Sequence, residues 1–209
     1  MSQEYFEIYN ENMEPIGIEL RSVVHKEGYW HKSFQCWFIF KEDNKDYILF
    51  QRRHADKDTY PNLLDITSAG HLSAGEKVED GIRELEEELG VRVNYEELIP
   101  IGVIVEQKSE ESFIDYEFAN VFLYSCKVPM ESFKLQLEEV TGMFKLSLDD
   151  VTQLFEGNIN TVQASGYVID EQGGKIMTSM EVSTKDLVPH DLTYYRKVLS
   201  EAKKYLNQV

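Results

Sequence analysis

Glu84, Glu87 and Glu88 lie in the stretch 70–91, GHLSAGEKVEDGIRELEEELGV, where a glycine-bounded loop runs into a segment dense in carboxylates. On a helix turning about 100° per residue these three glutamates share one narrow sector. Ile82, Leu85 and Leu89 share another sector, which reads as the buried stripe. Two unit charges about 4 Å apart repel by about 4 kcal/mol at an effective dielectric of about 20. Three carboxylates converging on one point therefore call for a cation. Oxygen-only ligands select a hard ion, Mg²⁺ or Mn²⁺, over zinc. A bare EExxxEE string is ordinarily a solvated helix face. What distinguishes this one is the preceding GHLSAGE, Arg83 directly before the first glutamate, and Gly90 at the end.

The surrounding elements can be outlined from the same text. Residues 4–23 read as a hairpin with a polar turn at Glu11 and Asn12, followed by a polar segment, VHKEGYWHKS, carrying His25 and His31. CWFIF and YILFQRR read as strands joined by the turn at 42–45. A loop, HADKDTYPNLLDITSA, leads into a helix over 77–89 that Gly90 ends with a left-handed cap. IPIGVIVEQ and YEFANVFLYSC read as strands separated by an acidic loop around 109–111, and 148–155 as a short helix. GYVIDEQGGKIMTSMEV suggests a hairpin with a Gly-Gly turn. The last helix is capped by Asp191, with Leu192, Tyr195, Val198, Leu199 and Ala202 as its apolar stripe. The expected class is α+β, a mixed sheet with helices on its faces.

The whole chain narrows the function classes. Its 209 residues fit one domain with elaborations, and a formal net charge of −17 argues against sequence-independent binding to nucleic acid. A small anionic substrate then requires local cations. Cys36 and Cys126, the only cysteines, sit in apolar runs and read as buried thiols without a disulfide. The N-terminal MSQEYFEIYN has neither a basic start nor an apolar run, and no segment approaches the roughly 20 apolar residues of a membrane span. The expected location is the cytoplasm.

In Gly70, Glu76, Arg83, Glu84, Leu85, Glu87, Glu88, Gly90 and Val91 the chain resembles the Nudix hydrolases. One residue of the usual spacing is absent between Glu76 and Arg83. The resemblance implies an α/β/α sandwich spanning residues 1–156 with its N-terminal hairpin, and residues 157–209 as a C-terminal extension of hairpin and helix. It also implies Mg²⁺- or Mn²⁺-dependent hydrolysis of a small organic diphosphate, a nucleoside diphosphate derivative being the leading expectation, and a homodimer. Glu84, Glu87, Glu88 and Gly70 would hold the metal, joined by Glu76, while Arg83 orients a helix carboxylate. The base that activates water is Glu87 or Glu139. Arg52, Arg53, Lys57 and His71 are the candidate substrate contacts, with at most one of the two adjacent arginines reaching the site.

Outside the helix the chain is similar to the isopentenyl-diphosphate isomerase branch of the family. That likeness matches His25, His31, His71, Asp115 and Glu117 to a metal set. Read individually, one of His25 and His31 packs under the hairpin, and a solvated strand face accounts for Asp115 and Glu117 as well as a metal set does. The isomerase's catalytic cysteine is Ala69 here, and alanine has no proton to move, which disfavours isomerisation. A third reading is a sensing module that binds a diphosphate without turnover.

Overall fold

The computed structural model describes residues 4–110 and 113–208. β1 (Tyr5–Tyr9) and β2 (Pro15–Leu20) form the expected antiparallel hairpin. The polar segment after it is in part a helix, α1 (Arg21–Glu27), which buries Val24 and His25. The apolar spacing there is too short to show as a periodic stripe. β3 (Trp30–Glu42) and β4 (Lys45–Arg53) pair through a two-residue turn in which Asp43 and Asn44 have φ of 49° and 62°. Those left-handed values fit the twist of the flanking strands and suit Asp and Asn.

β3 is the hub of a mixed sheet. It runs antiparallel to β4 and, through Ser33↔His71, to β6 (Ser68–His71), which follows the short β5 (Leu64–Asp65). It runs parallel to β8 (Phe113–Ser125) from Trp30↔Tyr116 to Ile39↔Ser125. β7 (Leu98–Glu110) pairs antiparallel with β8. The expected acidic loop is thus mostly strand, with Ser109 and Glu110 in the ladder and Glu111 outside the described residues. Alternation along β3 sends Trp37 and Ile39 to one core and Cys36 and Phe38 to the other. Both faces are covered, so these strands read as continuous apolar runs.

One face carries α2 (Arg83–Leu89), whose Leu85 and Leu89 are fully buried. The expected helix over 77–89 is corrected: Val78–Ile82 is a 3₁₀ turn, and only then does the α-helix begin. Asp80 closes this turn by accepting the Lys77 N–H at 2.8 Å. Gly90 ends α2 at φ 66°, donating to Glu86 O at 2.9 Å. The other face carries α3 (Leu148–Phe155) and α4 (Leu192–Leu206). β9 (Val140–Ser147), β10 (Val162–Ile169) and β11 (Lys175–Val182) extend the sheet beyond β4. In α4 the stripe shifts from expectation. Leu192 is exposed, while Tyr194 is buried and bonded to Trp37 Nε1 at 2.9 Å and to Gln35 Oε1 at 2.6 Å. The architecture is α+β with a mixed sheet between helical layers.

Candidate active site

α2 and β6 meet at the side of a cleft of about 470 Å³ lined mainly by charged and polar groups. A Cβ on Gly70 would lie 2.1 Å from Glu84 Oε1, so the carboxylate keeps this position against the strand because residue 70 has no side chain. Glu88 is 5% exposed and accepts the Ala69 N–H at 3.2 Å. Burial, opposed in part by Arg83, pushes Glu84 up to about 7. Burial and then Glu84 itself push Glu88 up to about 8. Glu87 shares the cleft but is half exposed.

Arg83 ties the group together. Its Nε and Nη2 donate to the two oxygens of Glu76 at 2.7 and 3.0 Å, and its Nη1 donates to Glu84 and Glu87 at 2.6 and 3.1 Å. Glu76 also accepts from Ser73 N at 2.7 Å. Both its oxygens thereby accept hydrogen bonds, and Glu76 stands behind Arg83 rather than in the lining of the cleft. Its part is to fix Arg83. A buried carboxylate and a partly buried one at a glycine-made approach, with Glu87 beside them, fit a hard divalent cation.

Arg53, Lys57, His71 and Glu139 also line this cleft, whereas Arg52 does not. Successive residues of a strand face opposite ways, and Arg52 turns to Asn62 Oδ1 at 3.4 Å. Arg53 binds Asp65 Oδ2 at 2.7 Å and, through Nη2, Thr59 O at 2.8 Å, pinning the 54–62 loop. Lys57 and Glu139 form an ion pair across the cleft. Of the aromatic residues near the motif, Tyr60 reaches the cleft, Trp37 is core and Trp30 stacks on Phe118.

A second cluster opens onto the same cleft. His25 of α1, His31 of β3, His71 of β6 and Asp115 of β8 each bring a ligand atom within 4.8 Å of the others. Asp115 Oδ1 lies 3.3 Å from His31 Nε2 and 3.6 Å from His25 Nε2, and these three buried atoms make no well-aligned hydrogen bond. Glu117 Oε1 lies 3.3 Å from His71 Nε2. Individual readings of these side chains as packing or solvated groups are therefore corrected: they converge. His31 Nδ1 lies 3.0 Å from Tyr29 O, which holds the ring so that Nε2 faces the cluster. Burial pushes His71 well down, and His31 adds to this. Burial alone would lower His31, yet Asp115 and Glu117 raise it, so the pocket calls for positive charge. Three imidazoles and a carboxylate within reach of one point are a donor set that fits a borderline transition-metal ion.

Comparison with known proteins accords with this geometry. The NUDIX domain family matches residues 30–164. A protein of Clostridium acetobutylicum described as an uncharacterized Nudix hydrolase is 41% identical over 199 residues, spanning 95% of this chain and 97% of that one. Nudix hydrolase 3 of Arabidopsis thaliana is 37% identical over 149 residues, 68% of this chain but only 19% of the plant protein. Among solved structures, DR0079 from Deinococcus radiodurans superposes with a TM-score of 0.55 at 19% identity, covering 74% of this chain and 90% of that one. That likeness speaks to the fold. With the family match running across β3, α2 and β9, and a bacterial relative aligned almost end to end, the chain belongs to the Nudix hydrolases, enzymes that cleave the diphosphate of small molecules and generally use divalent cations.

Proposed function

We propose that the chain is a Mg²⁺- or Mn²⁺-dependent hydrolase of a nucleoside diphosphate derivative or a similarly polar organic diphosphate. The observation that carries this reading is the buried Glu88 carboxylate with the partly buried Glu84 beside it where Gly70 leaves room. Glu84, Glu87 and Glu88, with Gly70, would hold the cation. When bound, it neutralises charge on the phosphoanhydride oxygens and orients them for in-line attack. Arg83, braced by Glu76, keeps the carboxylates converged. Glu139 and Glu87 are the two acids that can take a proton from the attacking water. Glu139 is released for that role when the substrate's phosphates draw Lys57 away. Arg53 then meets the same phosphates from the loop side.

The polar lining favours a hydrophilic moiety over an isoprenoid tail, and Tyr60 offers a surface on which a base can stack. The imidazole cluster supports a second, nitrogen-liganded divalent ion in the same cleft. Isomerisation is disfavoured because Ala69 lies in the cleft where that chemistry needs a proton donor. A homodimer and a cytoplasmic location accompany the proposal. Among the described residues no helix is long and apolar enough to cross a membrane.

The test is a panel of nucleoside, nucleotide-sugar and isoprenyl diphosphates assayed with Mg²⁺ or Mn²⁺. Turnover of a polar diphosphate, lowered about 100-fold or more by Glu88→Gln, is expected. Binding without turnover across the panel favours the sensing module instead.

A further inference from the structure

Beyond the family match, residues 187–190 run beside β5. Val188 N donates to Leu64 O at 2.9 Å, and this brings His190 to the cleft wall. The imidazole is 4% exposed, stacked on Tyr194 at 4.6 Å. Its Nδ1 lies 2.9 Å from both oxygens of Glu106, and its Nε2 lies 3.2 Å from Asp65 Oδ1. A nitrogen facing a carboxylate must donate, so both ring nitrogens are spent as donors.

Lys108 stands two residues beyond Glu106 on the same face of β7 and lines the cleft. The one group within hydrogen-bond range of its ammonium is His190 Nδ1, at 3.2 Å. That nitrogen cannot accept while it donates to Glu106. Among the described residues, the half-buried ammonium is therefore left without an acceptor. Lys108, His190 and Arg53 put three cations on this wall beside Asp65 and Glu106, with Asp115 and Glu117 opposite Lys108 and Glu106 on β8.

We propose that Lys108 binds an anionic oxygen of the substrate's phosphates, and that His190, from the C-terminal segment, is the positioning residue that keeps Lys108 free by occupying Glu106. The proposal rests on the hydrolase reading for its substrate class. Without the imidazolium, Glu106 captures the ammonium and withdraws it from the cleft. The C-terminal segment is in that sense part of the substrate site.

The test is calorimetric binding of a methylene-bridged nucleoside diphosphate, which is not hydrolysed, to the full-length protein with Mg²⁺. Lys108→Met and His190→Gln should each weaken binding about tenfold, the worth of a charge-assisted hydrogen bond. Lys108→Arg should stay within about threefold of the parent. Adding Glu106→Gln to His190→Gln should recover affinity, because no carboxylate then competes for Lys108. In steady-state assays of Lys108→Met, KM should rise and kcat stay within about threefold. Unchanged binding by Lys108→Met overturns the assignment. Failure of the double variant to recover, with thermal unfolding matching the parent, overturns the role of His190. A parent protein that binds the analogue but hydrolyses nothing refutes the hydrolase reading and leaves the binding comparison intact.

Discussion

Glycine at position 70 shows how much the account asks of single residues. Gly70→Ala puts a methyl group 2.1 Å from the Glu84 carboxylate, so that carboxylate must swing out of its place in the cleft. Displacement of a catalytic group by about 1 Å can cost about 100-fold, and a loss of that order in kcat/KM is expected, with the fold retained by circular dichroism. At the same scale, His190 and Asp65 set opposite limbs of a pH profile. Burial and then Lys108 lower the His190 value, but Glu106 and Asp65 outweigh them and raise it above 6.5. Its contribution to stability is therefore complete below about 6.5 and is lost as pH rises through the folded value. Asp65 is opposite. Burial would raise it, but His190 and Arg53 hold it well below 3.8, so its contribution is lost on acidification. Thermal unfolding against pH should show both limbs. His190→Gln should flatten the alkaline limb and move the acid limb upward. An unaltered profile in that variant would count against the charged triad.

At the scale of elements, what was legible followed from local period. The glutamates of α2 could be read because a helix fixes their sector, and Gly90 because its left-handed cap needs no Cβ. The second cluster was legible only through the isomerase resemblance, which matched its members to a metal set, and not from local period. Its members come from α1, β3, β6 and β8, and only the parallel register His31↔Glu117 with the antiparallel register Ser33↔His71 gathers them. No periodicity in a single segment encodes a pairing between strands so far apart. Nor does the spacing, one residue short between Glu76 and Arg83, foretell that the Glu76 oxygens accept from Arg83 and Ser73. If the cluster holds an ion, metal analysis of protein purified without chelators should find one. His31→Gln should lose it while α2 stays folded.

Across the whole molecule, the C-terminal residues are tied to the centre of the sheet. Tyr194 bridges Trp37 of β3 and Gln35, and Gln35 Nε2 in turn lies 3.4 Å from Glu117. The cores of α3, α4, β3 and β4 form one cluster. We propose that residues 157–209 fold as part of the Nudix unit. Tyr194→Phe leaves two buried polar groups without their partner, so a loss of about 1–3 kcal/mol is expected in chemical denaturation. A single cooperative transition should persist, because a separately folding extension would unfold on its own.

The cation proposed to sit between α2 and β6, where a diphosphate can be cleaved, is measurable by calorimetric titration of chelator-stripped protein with Mn²⁺, in parallel with the Glu84→Gln/Glu88→Gln variant. A binding event is expected in the parent and should disappear in the variant. Identical titrations of the two proteins would rule the cation site out.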